Sequence, residues 1–209
     1  MKPDKFGGTA LVLSGILFVV LAILDFRAGP PPSNGAGILL WRDSRALILD
    51  FVSELLFFAT VLLVPGAIAV YQSLVDVDRA KAATGCGIIA ATIPVMAVML
   101  VVHGRLIYPI YGMRIESPEA AALAIMIFYG GVHAIYLLLA VATVVLSLAM
   151  QRGAYAKWVA YAGFAVAALD VVGSYPWAIG RVLTLICELC FAGWFVAVGL
   201  QLRRMSKAA

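Results

Sequence analysis

Six long apolar runs, parted by short turns that collect the prolines and most of the charges, constrain this chain more than any other feature. They cover about residues 7–26, 46–74, 83–108, 119–150, 154–175 and 177–202. A bilayer-spanning helix needs about 20 mostly apolar residues, so each run is long enough to cross. In a chain of 209 residues little is left but loops. The composition agrees: 64% of residues are hydrophobic and 12% charged, against about 45–50% and about 25% in soluble domains. Mean hydropathy is +1.04. The expected fold is all-α, a single transmembrane domain of six helices spanning residues 1–209.

The turns define the runs. Pro30-Pro31-Pro32 ends the first, because consecutive prolines cannot continue a helix. Trp41 beside Arg42 in that loop suits a membrane interface. Pro65 and Pro94 lie inside the second and third runs and each removes one backbone hydrogen bond. Ser117-Pro118-Glu119 reads as a helix start. The first run follows Lys2 and Lys5 but is longer than a signal-peptide core and lacks an A-x-A-like site, so it reads as a retained helix.

With six crossings both termini share one side. That side holds nine of the 15 basic residues, including all five lysines: Lys2, Lys5, Lys81, Lys157 and Lys207. The positive-inside rule then places both termini in the cytoplasm, and the expected location is the cell (inner) membrane of a bacterium. The basic residues are scattered singly or in pairs, which argues against a nucleic-acid partner despite the net charge of +4.

Ionisable residues within spans are costly and usually face a bundle interior or a water-filled cavity. Here they share a depth. Asp50 and Glu54, Asp170, Glu188, Arg105 and Arg181 all fall in the outer part of their runs, as does Asp25, which closes the first. Asp50 and Glu54 are one helical turn apart on one face, so two carboxylates there call for a cation, an arginine or a shared proton. The bland reading pairs these acids with Arg45, Arg105 and Arg181 as structural locks. The functional reading joins Asp50, Glu54, Asp170 and Glu188 in an outward-opening polar pocket between the second, fifth and sixth helices.

Tyr129, His133 and Tyr136 recur at helical spacing and are expected to share one face, with Gly130 and Gly131 allowing close approach of a neighbour. His103 and His133 differ in depth by roughly 20 Å at 1.5 Å per residue, too far for a haem. Cys187 and Cys190 have C-x-x-C spacing but lie inside a helix beside Glu188 and read as small core residues. No cofactor and no metal site is expected.

The segment from Cys187 through Glu188, Phe191 and Trp194 to Gly199 resembles the closing Glu-x-x-Phe-x-x-Trp element of a bacterial six-span integral membrane family of unknown function. Tyr71-Gln72-Ser73-Leu74 is similar to the end of that family's second span. The resemblance implies the six-span architecture and draws attention to Glu188 and Trp194, but it supplies no activity. The triple proline and Asp170 depart from it.

Three functions are compatible with these residues. The first is a carboxylate site that binds or translocates a proton, a cation or a small polar ligand, with Asp50, Glu54, Asp170 and Glu188 as ligands, Arg105 and Arg181 as counter-ions, and Tyr129, His133 and Trp194 in the walls. The second is an intramembrane enzyme using a protonated carboxyl as general acid on a lipid or isoprenoid. The third is an accessory or scaffold subunit with purely structural charge pairs. Beyond the lipid bilayer itself, the sequence names no partner and no oligomeric state.

Overall fold

The computed structural model describes residues 5–208, and the side chains of residues 5–206. Eight helices follow one another: α1 Lys5–Ala28, α2 Gly35–Ser44, α3 Ala46–Leu74, α4 Arg79–Ile107, α5 Pro118–Met150, α6 Lys157–Gly173, α7 Pro176–Ile179 and α8 Arg181–Ala208. Among the described residues the one extended pairing is an isolated bridge between Ile110 and Met113 in the α4–α5 loop. Five helices, α1, α3, α4, α5 and α8, are long and apolar enough to cross a membrane. The protein is a multi-pass bundle, with Phe51, Phe57, Phe58, Val61 and Ile68 of α3 among the large apolar side chains turned outward.

The expected spans and the helices agree closely for α1, α3, α4 and α5. Three differences matter. The fifth run yields α6, only 17 residues long, the lower limit of about 17 for a crossing. The last run is not continuous from Trp177: Gly180, with φ at +77°, separates the single turn of α7 from α8. A positive φ is open to glycine and costly for other residues, so the chain breaks there although the apolar composition continues.

The third difference is α2: the segment around Trp41, expected as an interfacial loop, is a helix of ten residues. Asn34 starts it, its side chain accepting from the backbone N–H of Gly37 at 2.7 Å, an N-cap arrangement that satisfies one orphan donor. Trp41 then donates its indole N–H to the Ala28 carbonyl at 3.1 Å, and the buried Arg42 donates to the Ile115 carbonyl at 2.6 Å. These bonds tie α2 across the ends of α1 and α5, over a cluster of Ala28, Ile38, Trp41, Leu49, Leu106 and Ala121. Arg42 also pairs with the neighbouring Asp43, whose carboxyl that hydrogen bond holds below its ordinary range.

The six longer helices close into a ring in the order α1, α3, α4, α5, α6, α8, with α8 packed back on α1. Close approach of α1 to its neighbours depends on small residues. A Cβ on Gly15 would meet Val196 at 2.7 Å, and one on Gly199 would meet the Gly8 carbonyl at 2.8 Å. Gly8 lies against Arg203, and Phe26 against Arg181, so α1 and α8 run antiparallel. At the end where the described chain begins and ends, the ring is filled by a continuous core that includes Leu11, Leu74, Leu146, Met150, Val198 and Leu202. The other end, under α2, is not filled in this way.

Candidate functional site

That end contains a cavity of about 640 Å³. Its floor is Phe18, Leu139 and Phe191; its mouth is formed by the Pro30–Ser33 segment, Trp177 and Arg181. Between them the wall is largely apolar, and its polar groups are few: Asp25 from α1, Tyr129 and Tyr136 from α5, and Arg181, Thr184 and Glu188 from α8. Each is placed by helical repeat. Phe18, Leu21, Ala22 and Asp25 fall at i, i+3, i+4 and i+7, one face of α1. Arg181, Thr184, Leu185, Glu188 and Phe191 do the same on α8.

Arg181 is fixed at the rim. It donates to the Phe26 carbonyl and its guanidinium carbon lies 4.7 Å from the centroid of the Phe26 ring, a cation–π geometry. It lies within electrostatic range of Asp25, yet no ion pair joins the two within 4 Å among the described residues. Glu188 lies seven residues below Arg181 on the same helix, about 10 Å deeper at 1.5 Å per residue. Glu188 is half-buried, its carboxylate interacts with the charge of Asp25, and it takes part in no hydrogen bond or ion pair among the described residues. The cavity thus holds two carboxylates against one guanidinium.

The remaining sequence candidates lie elsewhere. Asp50 and Glu54 do not line the cavity: Tyr108 donates to the Asp50 carbonyl at 3.0 Å and to the exposed Glu54 carboxylate at 3.2 Å, which turns that face of α3 toward the α4 terminus. Burial first, and then the Glu54 bond, push the Tyr108 phenol up to about 12, so it remains a donor at physiological pH. Arg105 donates to the Tyr108 carbonyl at 3.1 Å and braces the same corner. His133 bonds through Nδ1 to the Ser174 carbonyl at 2.9 Å. A carbonyl only accepts, so Nδ1 carries the hydrogen, and the ring packs against Tyr175 and Trp177. Trp194 is buried on the α6 side of α8, donating to the Val159 carbonyl at 3.0 Å.

The shared face expected on α5 therefore divides: Tyr129 and Tyr136 face the cavity, and His133 is rotated toward the α6–α7 junction. Gly130 opens on empty space, while a Cβ on Gly131 would overlap the Met99 side chain. Of the four acids expected to meet, only Glu188 reaches the cavity. None of the four is ion-paired with an arginine among the described residues, so the structural-lock pattern is absent there as well. Asp25, which the sequence places at the right depth, supplies the second carboxylate. Its i+7 relation to Phe18 was the available signal.

The chain matches no protein-family model, no curated protein and no solved structure. The site must be read from its own chemistry.

Asp170 is a separate matter. It is fully buried on α6, and neither carboxylate oxygen has a partner among the described residues. It stands behind the cavity wall, close to Tyr136 and Cys187. An orphaned buried polar group costs about 1–3 kcal/mol. Asp170→Leu is therefore expected to raise the melting temperature of the purified protein. A fall would show that the carboxyl is used.

Proposed function

We propose that this protein is a six-span membrane protein whose outward-open cavity binds or translocates a proton, a cation or a small polar ligand at Asp25 and Glu188. One observation carries this reading: a cavity of about 640 Å³ whose charged lining is two carboxylates and one guanidinium. A bound positive charge offsets the excess carboxylate, and a low-dielectric surround makes that attraction stronger than in water.

The antiparallel packing of α1 and α8 supports six crossings. An odd number would put their facing ends on opposite sides of the bilayer, so α6, 17 residues and roughly 25 Å long, completes an even count. The lysine distribution supports cytoplasmic termini, and the cavity mouth then faces outward. A cell (inner) membrane location belongs to the same proposal, and kinship with the six-span family is proposed only on the resemblance of the Glu188–Trp194 segment.

The reading is tested by titrating purified protein in nanodiscs with methylammonium chloride against matched sodium chloride, following heat. Saturable methylammonium binding is expected in the wild type, weakened at least tenfold in the Asp25→Asn, Glu188→Gln double variant. Titrations indistinguishable between the two proteins overturn it.

A further inference from the structure

The geometry points to an amphiphilic organic cation, one positive charge on a bulky apolar body, as the ligand of this cavity. The inference rests on the proposed carboxylate site and adds the size and character of what fills it. Size comes first. Cavities of about 300–1,000 Å³ hold drug-sized molecules, and 640 Å³ lies within that range, whereas a proton or a bare metal ion would leave nearly all of it empty.

The lining excludes an inorganic ion on different grounds. Hard cations such as Ca²⁺ take about six to eight oxygen ligands. Here no group of three or more histidine, cysteine or acidic side chains able to hold a metal exists among the described residues. The wall is instead mostly apolar, and Met96, Met99 and Met126 and the rings of Phe18, Phe128 and Phe191 are part of it. Methionine adapts to irregular apolar shapes. Aromatic faces attract a cation whose hydration shell has been shed, and desolvation strengthens that attraction. A strongly hydrated small ion gains little from such walls.

Charge fixes the sign and the number. Arg181 is committed at the mouth by its bond to the Phe26 carbonyl and its seat on that ring, with Asp25 the acid in its field. Glu188 lies deeper, half-buried on the cavity wall and without a hydrogen-bonding or ion-pairing partner among the described residues. With both acids ionised, two carboxylates less one guanidinium leave a single negative charge, which a bound cation at Glu188 would offset. A monocation whose charge is shielded by apolar groups satisfies Glu188 and the walls together. A neutral lipid leaves Glu188 unmatched, and an anion is repelled by it.

The experiment uses tetraphenylphosphonium and tetraphenylborate, ions of nearly the same shape and opposite charge, in equilibrium dialysis against wild-type protein in nanodiscs, with protein-free nanodiscs subtracted. Saturable binding of the phosphonium alone is expected. Glu188→Gln, nearly isosteric, should weaken it at least tenfold, and Val132→Trp, which fills the cavity from α5 without touching a charge, should abolish it. Equal binding of the two ions, or phosphonium binding unchanged by Glu188→Gln, overturns the inference. If methylammonium binds through Glu188 while tetraphenylphosphonium does not, the amphiphile is excluded and the carboxylate site stands. If neither cation responds to Glu188→Gln, both fall.

Discussion

Replacing Trp194 by alanine is expected to cost about 3–5 kcal/mol, the range for emptying a buried aromatic site. The indole is 4% exposed, so nearly the whole ring is removed from packed surroundings. Its N–H bond to the Val159 carbonyl joins α8 to α6, and it packs against Phe195 at 5.8 Å between centroids. Gly163 is part of the same fit: a Cβ there would lie 3.0 Å from the indole nitrogen. Trp194→Phe keeps much of the volume and loses the hydrogen bond, so about 0.5–1.5 kcal/mol is expected from that bond. Unfolding by graded denaturing detergent would measure both. Because Trp194 does not line the cavity, methylammonium affinity in folded Trp194→Phe should equal that of the wild type. A tenfold loss of affinity with unchanged stability would instead make Trp194 part of the site.

Gly35→Val should be nearly as damaging, for a reason confined to backbone. Gly35 is the first residue of α2, and a Cβ built on it overlaps the carbonyl of Pro118, at the start of α5. A flexible side chain could move aside, but a helix terminus cannot without taking its neighbours with it. Either α2 lifts, breaking the Trp41 and Arg42 bonds, or the α5 N-terminus shifts. Overpacking of this kind costs about 1–3 kcal/mol or more, and roughly 2–4 °C of melting temperature per kcal/mol is expected for a protein of this length. Gly130→Ala is the matching control. Beyond its own stretch of helix no atom lies within 4 Å of its added methyl, and an alanine within a helix is favoured over glycine by roughly 0.5–1 kcal/mol. If Gly35→Val melts with the wild type, α2 is not seated on α5 as described.

The helices were legible because a membrane span announces itself by length and composition alone, and α3 begins and ends where its apolar run does. Helix α2 was not, since ten residues opened by Gly-Ala-Gly after three prolines carry the signs of a loop. Asn34, a good N-cap, was its one local signal. The break at Gly180 was hidden by apolar residues on both sides.

The depth of the charges was legible for the same reason: position along a span is counted from its ends. Which way each charge faces was not. That depends on ring order, a property of contacts between residues far apart in sequence. Asp50 and Glu54 have a convincing one-turn spacing, yet it is directed to Tyr108. Glu188 was found as an ionisable residue within a span, and Tyr129 from its helical spacing with Tyr136. Asp25 shared the depth of the other acids but, as a helix-ending residue, resembled a boundary charge.

The pairing of α1 with α8 sets a condition on how the protein is made. Helix α1 leaves the ribosome well before α8, and its glycine-lined face at Gly8 and Gly15 is shaped for α8 residues between Ala192 and Arg203. Throughout synthesis that face has α3 on one flank and nothing permanent on the other. The ring can be shut only once α8 is made, so a chain truncated before α8 would insert its earlier helices into the bilayer and still lack one wall of the cavity.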